Sequence, residues 1–342
     1  MILNNKYAFW NNKGGTGKTS LAFQSVTRYA EKHPKERILV VDVCPQANLS
    51  ELLLGGLNNN GSDKLLARQG LVPRCSIGGY FQLRLPSPYV PPSFVAADFV
   101  TTPSTFNVAV PTNIDLVCGD PLLELQANAV NTLANNQIPG SNPWIAVVDW
   151  INDFLAQIDG DYDTVFLDCN PSFSLYTQIA LAASNRIVLP VMADDSSRRA
   201  IQNAFSLVYG LKLPSEIYSA YAFATKLNAA GRALPKVHLI VKNRITQYMG
   251  AASAYAAVLK SIEDDVQKLL KSNPEIFTFS KLPNGFVEIR DFQTTGVVAF
   301  AKGLPFSRVQ VGKQTISSHR VQVKGEYLDN ARQAIEDLVD LL

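Results

Sequence analysis

The chain reads as an α/β domain, a mostly parallel twisted sheet with helices on both faces. Three observations predict this class. Arg37–Asp42, Asp163–Asp168 and Arg186–Val191 are short runs dominated by apolar residues, the pattern of strands covered on both faces. Segments of helical spacing alternate with them, as in βαβ units. Hydrophobic residues make up 47% of the 342 positions and charged ones 18%, below the roughly 25% of an average soluble protein. Such a chain buries a large core, which excludes a disordered chain or a small disulfide scaffold.

Each element follows in order. Tyr7–Trp10 is the first strand and Asn11–Gly17 a turn-rich loop. Thr19–His33 places Leu21, Phe23, Val26 and Tyr29 at helical spacing until Pro34 stops it, and Arg37–Asp42 is the second strand. From about Leu57 to Thr112 the rhythm breaks, with Asn58-Asn59-Asn60-Gly61-Ser62 and Pro86, Pro88, Pro91, Pro92 and Pro103. This segment, 57–112, is expected to be a surface insertion or lid with short helices, without a core of its own. The sheet resumes near Asn113–Val117 and at Asp163–Asp168, followed by a helix near Tyr176–Ala183 and a strand at Arg186–Val191. Asp195 or Ser196 is the expected cap of a helix through Ala200 and Phe205. Val237–Val241 and Ile276–Phe279 are expected strands around a helix from about Ala254 to Leu270, and a final helix covers roughly Glu326–Leu342. One domain over 1–342 fits this order better than two.

Charge and cysteine content narrow the function. The 31 Lys+Arg against 29 Asp+Glu give +2, which excludes a strongly basic histone-like protein but not a local basic patch. Met1-Ile2-Leu3-Asn4-Asn5-Lys6 lacks the apolar run of a secretory signal, and no stretch approaches the roughly 18 apolar residues of a spanning helix. Cys44, Cys75, Cys118 and Cys169 are far apart with no C-x-x-C. Reduced thiols in a cytoplasmic protein are expected, and a zinc ribbon or iron–sulfur framework is not.

Asn12-Lys13-Gly14-Gly15-Thr16-Gly17-Lys18-Thr19-Ser20 is the most informative run. It follows a strand and opens a helix, the setting a phosphate loop requires. Glycines let backbone N–H groups turn inward around phosphate oxygens, and the helix N-terminus adds partial positive charge. Lys18 then reaches the β- and γ-phosphates and the Thr19 hydroxyl meets Mg²⁺. Asn12 stands where the ordinary G-x-x-x-x-G-K-[ST] pattern has glycine, and a second lysine, Lys13, precedes the glycine pair.

This run resembles the deviant Walker A box, K-G-G-x-G-K-[ST]-[ST], of the ParA/MinD family of P-loop ATPases, in its ParA-like partition branch. Val41-Asp42-Val43-Cys44-Pro45-Gln46-Ala47-Asn48 resembles the second motif of that family, D-x-D-P-Q-x-N. Tyr162 to Ser172 is similar to its Walker B strand, and Ile289-Arg290-Asp291 with Gly303-Leu304-Pro305 to its closing segment. The resemblance covers about 230 to 270 residues, all but 57–112 and part of 215–235.

The resemblance implies ATP and Mg²⁺ sandwiched in a homodimer. Gly14, Gly15, Thr16, Gly17, Lys18, Thr19 and Ser20 would bind the nucleotide, and Lys13 would reach the phosphates of the partner subunit, in the manner of an arginine finger. Asp168 would hold Mg²⁺ with Thr19, and Asp42 would support the metal or its water shell. Asn243, at the end of a late strand, would offer a donor and an acceptor to adenine; an ordinary strand-end turn is the other reading. Cys44 departs from the family, which has an aspartate there to orient the attacking water. A thiol is a poor acceptor, mostly neutral at pH 7. Slow hydrolysis is expected, or water placed by another group such as Asn170, Gln46 or the insertion. Cys44 itself reads as a site-filling residue or a redox-sensing thiol.

The leading expectation is a cytoplasmic, nucleoid-associated ATPase that positions plasmid, chromosome or other cargo with a ParB-like or other adaptor. From Phe292 to Gly325 there is no acidic residue, while Lys302, Arg308, Lys313, Arg320 and Lys324 follow Arg290. This basic segment, 292–325, is the candidate surface for nonspecific duplex DNA. Val309, Val311, Val321 and Val323 alternate with polar residues there, so a hairpin turning near Gln314–Ser318 is a second reading. The final helix, 326–342, carries Glu326, Asp329, Glu336, Asp337 and Asp340 against Arg332; its acidity disfavours membrane binding. No helix-turn-helix precedes the first strand, so operator binding is not expected. The alternatives are an ATP-dependent dimeric switch docking a protein without DNA, and a scaffold with weak hydrolysis because of Cys44.

Overall fold

The computed structural model describes residues 5–158, 160–192, 194–245 and 253–342. Seven strands build its main sheet: β1 (Asn5–Phe9), β2 (Ile38–Val43), β3 (Ile114–Val117), β4 (Thr164–Cys169), β5 (Arg186–Val191), β6 (Lys236–Ile245) and β7 (Phe286–Arg290). They lie in the order β3-β2-β4-β1-β5-β6-β7, and every pairing is parallel. Residues of β2 and β4 are buried throughout, which explains their unbroken apolar runs. Alternate side chains serve opposite faces. Ala8 and Trp10 join one core, while Tyr7 and Phe9 join the other.

Helices cover both faces: α1 (Lys18–Lys32), α2 (Asn48–Leu54), α3 (Gly61–Gln69), α4 (Ile77–Arg84), α5 (Leu122–Ala134), α6 (Pro143–Val148), α7 (Trp150–Gln157), α8 (Leu175–Ala182), α9 (Asp195–Tyr209), α10 (Phe223–Ala229), α11 (Ser253–Ser272), α12 (Gln293–Lys302) and α13 (Gly325–Val339). The α1 and α13 helices pack together over the Tyr7 face. Glu336 of α13 pairs with Arg28 and Lys32 of α1, and Asp340 pairs with Lys32. Part of the acidity of the final helix is thus spent on docking it. Among the described residues no helix is long and apolar enough to cross a membrane.

Several sequence expectations are corrected. The segment 57–112 is only partly at the surface: Leu57, Val72 and Val90 are exposed, but Ile77, Tyr80 and Phe81 of α4, with Phe99, are buried in the core, as large apolar side chains leave water when a face is there to take them. Ile276–Phe279 is no strand. Pro274 opens a short 3₁₀ turn, and Phe277 makes a single bridge to Val237. The edge place belongs to β7, whose alternating burial is that of a strand with one wet face. The cap of α9 is Asp194, which accepts a hydrogen bond from Ser197 N; neither Asp195 nor Ser196 is the cap. Residues 312–323 do form a hairpin, β8 (Gly312–Ile316) against β9 (His319–Val323), turning at Ser317 and Ser318.

Candidate nucleotide site

The site gathers where β1, β2 and β4 end. Ligands of open parallel sheets bind at the carboxyl ends of strands, and here the chain leaves β1 through residues 10–17 and enters α1. Two turns of this loop demand glycine. Gly15 has φ 76° and Gly17 φ 81°, conformations open to glycine without steric cost. At Gly17 a Cβ would also strike the Asn243 amide. The base of the loop is braced by Asn11, whose Nδ2 donates to the Pro190 carbonyl at 2.6 Å and whose Oδ1 accepts from Lys13 N at 3.0 Å.

Lys18 lies folded over the loop, its Nζ donating to the Lys13 carbonyl at 3.2 Å. Burial holds its pKa below the usual lysine value, opposed by Asp168, Cys169 and Cys44. The Thr19 hydroxyl donates to Asp168 Oδ2 at 2.8 Å. Among the described residues, Asp168 Oδ1 is buried with no hydrogen-bond partner, as are Thr16 Oγ1 and Asn12 Oδ1. A buried acceptor without a partner costs free energy. A hydroxyl beside a carboxylate with a free oxygen is the hard donor set that Mg²⁺ takes, so these residues fit the metal. Burial raises the carboxyls of Asp42 and Asp168 above their ordinary range, and the charge of Asp42 adds to the effect at Asp168.

The other expected residues fall around this centre. Register places Asp42 directly beside Asp168. Its Oδ2 accepts from Ser50 N and Ser50 Oγ at 2.9 and 2.7 Å, and its Oδ1 accepts from Cys44 N at 3.2 Å. Sequence reasoning missed Ser50, which also accepts from Gly119 N; a serine eight residues past an aspartate carries no motif. Cys44 is 7% exposed, and burial followed by the charges of Asp42 and Asp168 pushes its thiol up to about 12. Cys169 is buried in the core.

Lys13 is held within its own chain. Its Nζ donates to Asp194 Oδ1 and Oδ2 at 2.7 and 2.6 Å and to Ser197 Oγ at 3.2 Å. Burial would raise the Asp194 carboxyl, but hydrogen bonds from Lys13, Ser196 and Ser197 bring it down to about 2. Asn243 donates from Nδ2 to the Thr16 carbonyl at 2.8 Å, and its Oδ1 accepts from Arg244 N. The amide expected to read adenine thus braces the loop through Nδ2, while its Oδ1 is held by the next residue of its own strand. Beside it, Gly17, Ser20, Asn243, Arg244, Phe292 and Gly296 border a cavity of about 210 Å³.

A glycine loop between parallel strand and helix, with lysine and threonine turned toward a buried carboxylate, defines a P-loop nucleotide-binding protein. Residues 4–213 match a family model described as an AAA domain, and the chain belongs to that family. The cell division protein PomZ of Myxococcus xanthus is 28% identical over 204 residues, 60% of this chain and 51% of that protein. An uncharacterized protein of Pseudomonas putida is 26% identical over 194 residues, 55% of this chain and 56% of that one. The chain spans about half the length of the curated relatives it matches. Among solved structures, apo McdA of Cyanothece covers 97% of this chain and 98% of its own at TM-score 0.60 and 12% identity. A putative plasmid partition protein of Borrelia burgdorferi, bound to AMPPNP, covers 99% and 98% at TM-score 0.53 and 12% identity. These similarities show the shared fold.

Proposed function

We propose that this chain is a ParA-like ATPase that binds ATP and Mg²⁺, forms an ATP-sandwich homodimer and binds duplex DNA nonspecifically. Its cycle positions or segregates plasmid, chromosome or other cargo, with an adaptor protein stimulating hydrolysis. The observation that carries this reading is one glycine loop bearing both Lys13 and Lys18 against the Thr19–Asp168 pair. The backbone N–H groups of Gly14 to Thr19 cradle the phosphates, and the cavity beside Ser20 and Asn243 takes the base. Thr19 and Asp168 hold the metal, and Asp42 supports them from the neighbouring strand. Mg²⁺, when bound, neutralises charge on the β- and γ-oxygens. Lys13 reaches the phosphates of a second subunit only after leaving Asp194.

The DNA reading draws on the hairpin. Lys313 pairs with Gln322 and Thr315 with Arg320, so both cations share one exposed face. Arg290, Arg308 and Lys324 are exposed as well, while Lys302 donates to Gln314 of β8. Binding of random duplex DNA with and without ATP, at two salt concentrations, tests the reading. Tight binding that needs ATP and falls steeply with salt is expected. ATP-dependent dimers with no DNA affinity support the second reading, a switch or scaffold docking a protein, which the neutral Cys44 thiol favours. Lys18→Ala is expected to lower ATP affinity by at least tenfold by calorimetry, with the thermal unfolding of the apo chain little changed.

A further inference from the structure

We propose that the Asn170 side chain orients the attacking water, with Tyr176 and Glu124 as its positioning residues; this rests on the ATPase reading above. Val43 and Cys169 are the last paired residues of β2 and β4, so Cys44 and Asn170 are the first residues to leave these neighbouring strands at the same level. Asn170 therefore neighbours the position from which an acceptor is missing. The Cys44 thiol is a weak acceptor. Gln46 is exposed, and its Oε1 accepts from Asn48, the first residue of α2, at 3.3 Å.

The orientation of the Asn170 amide follows from its neighbours. Tyr176 donates its hydroxyl proton to Glu124 Oε1 at 2.9 Å. A carboxylate only accepts, so the single phenolic proton is spent there. The Tyr176 oxygen must then accept from Asn170, which presents Nδ2 to it at 2.7 Å. That choice leaves Oδ1 facing away from Tyr176, met among the described residues by a long contact from Ser172 N at 3.4 Å. One lone pair remains for a water O–H. Tyr176 is 4% exposed, so its ring holds the arrangement from within the core. The loop after Asn170 leans on the phosphate loop: Phe173 packs against Trp10 at 5.5 Å and shares a cavity with Asn12.

In the step so assisted, the water oxygen bonds to the γ-phosphorus. The bond from that phosphorus to the β–γ bridging oxygen breaks, its electron pair leaves on ADP, and the water proton passes to the phosphate product. Asn170 accepts a hydrogen bond and takes no proton; it contributes orientation.

Phosphate release and ATP affinity by calorimetry, on the full chain with MgATP, test the assignment. Asn170→Ala is expected to lower kcat about 100-fold with Kd changed less than about threefold, since misplacing a reacting group costs on this order. Tyr176→Phe and Glu124→Gln are expected to lower kcat about tenfold, also at unchanged Kd. Cys44→Asp added to Asn170→Ala restores at least tenfold of the loss, because the carboxylate stands beside the missing amide. Wild-type kcat in Asn170→Ala, a loss of affinity matching the loss of rate, or no rescue by Cys44→Asp each overturns the proposal. A wild-type chain that binds MgATP but releases no phosphate overturns it while leaving nucleotide binding intact; one that binds no MgATP overturns the ATPase reading itself.

Discussion

Lys13 and Asp194 stand 181 residues apart in the chain, yet their side chains meet at 2.6 Å beside the phosphate loop. Asp194 does two things there, capping α9 through Ser197 N and neutralising Lys13. Asp194→Ala is expected to cost about 1 kcal/mol of unfolding free energy at pH 7, mostly from the lost cap, since a half-exposed ion pair contributes little. The folded carboxyl sits at about 2, below the roughly 3.9 of an unfolded chain. Its contribution is therefore complete above about pH 4 and lost as pH falls toward 2. Urea unfolding of both chains across that range is expected to show the difference shrinking. Neither partner could be paired from sequence, because contact between distant residues has no local signature. The glycine loop, by contrast, was legible residue by residue, since its function demands fixed types at fixed spacing.

At the scale of elements, the hairpin β8–β9 and the edge strand β7 mark where reading by pattern changed its answer. The hairpin carries its apolar residues inward, Val323 being buried in the core, and leaves Lys313 and Arg320 in water. Lys313→Glu with Arg320→Glu is expected to weaken DNA binding at least tenfold and to flatten its salt dependence by about two counterions. Filter binding at 50 and 200 mM salt checks this, and ATP affinity is expected to stay unchanged. The β7 strand escaped notice because five residues of alternating burial at an edge give a weaker signal than the buried runs of β2 and β4. Ile276–Phe279 misled in the opposite direction: its aromatics pack into the core from a turn.

For the molecule as a whole, two carboxylates and a lysine are buried together at the end of one sheet. Burial and the neighbouring Asp42 raise the Asp168 carboxyl in the folded chain. A raised folded pKa supports stability at low pH and withdraws that support as pH rises through it. The apo chain is therefore expected to lose stability from this group on going from pH 5.5 to 8. Charge supplied by MgATP at Asp168 opposes the loss, so the gain in Tm on adding MgATP is expected to be larger at pH 8. Differential scanning fluorimetry with MgATP and with EDTA at both pH values measures it. The +2 total charge hides this internal order, as it hides a basic hairpin and an acidic final helix tied to α1 by Arg28 and Lys32.

By itself the sequence determined the parallel sheet and the glycine loop between strand and helix, because burial on both faces and a tight turn each impose local patterns. Tertiary structure alone decided that Ile77, Tyr80, Phe81 and Phe99 join the core, that Lys13 is bound to Asp194, that Thr19 meets Asp168, that Asn243 braces Thr16, and that Asn170 bonds Tyr176. Those outcomes depend on strand register and on hydrogen-bond partners brought together from far along the chain, and no short window of sequence encodes either.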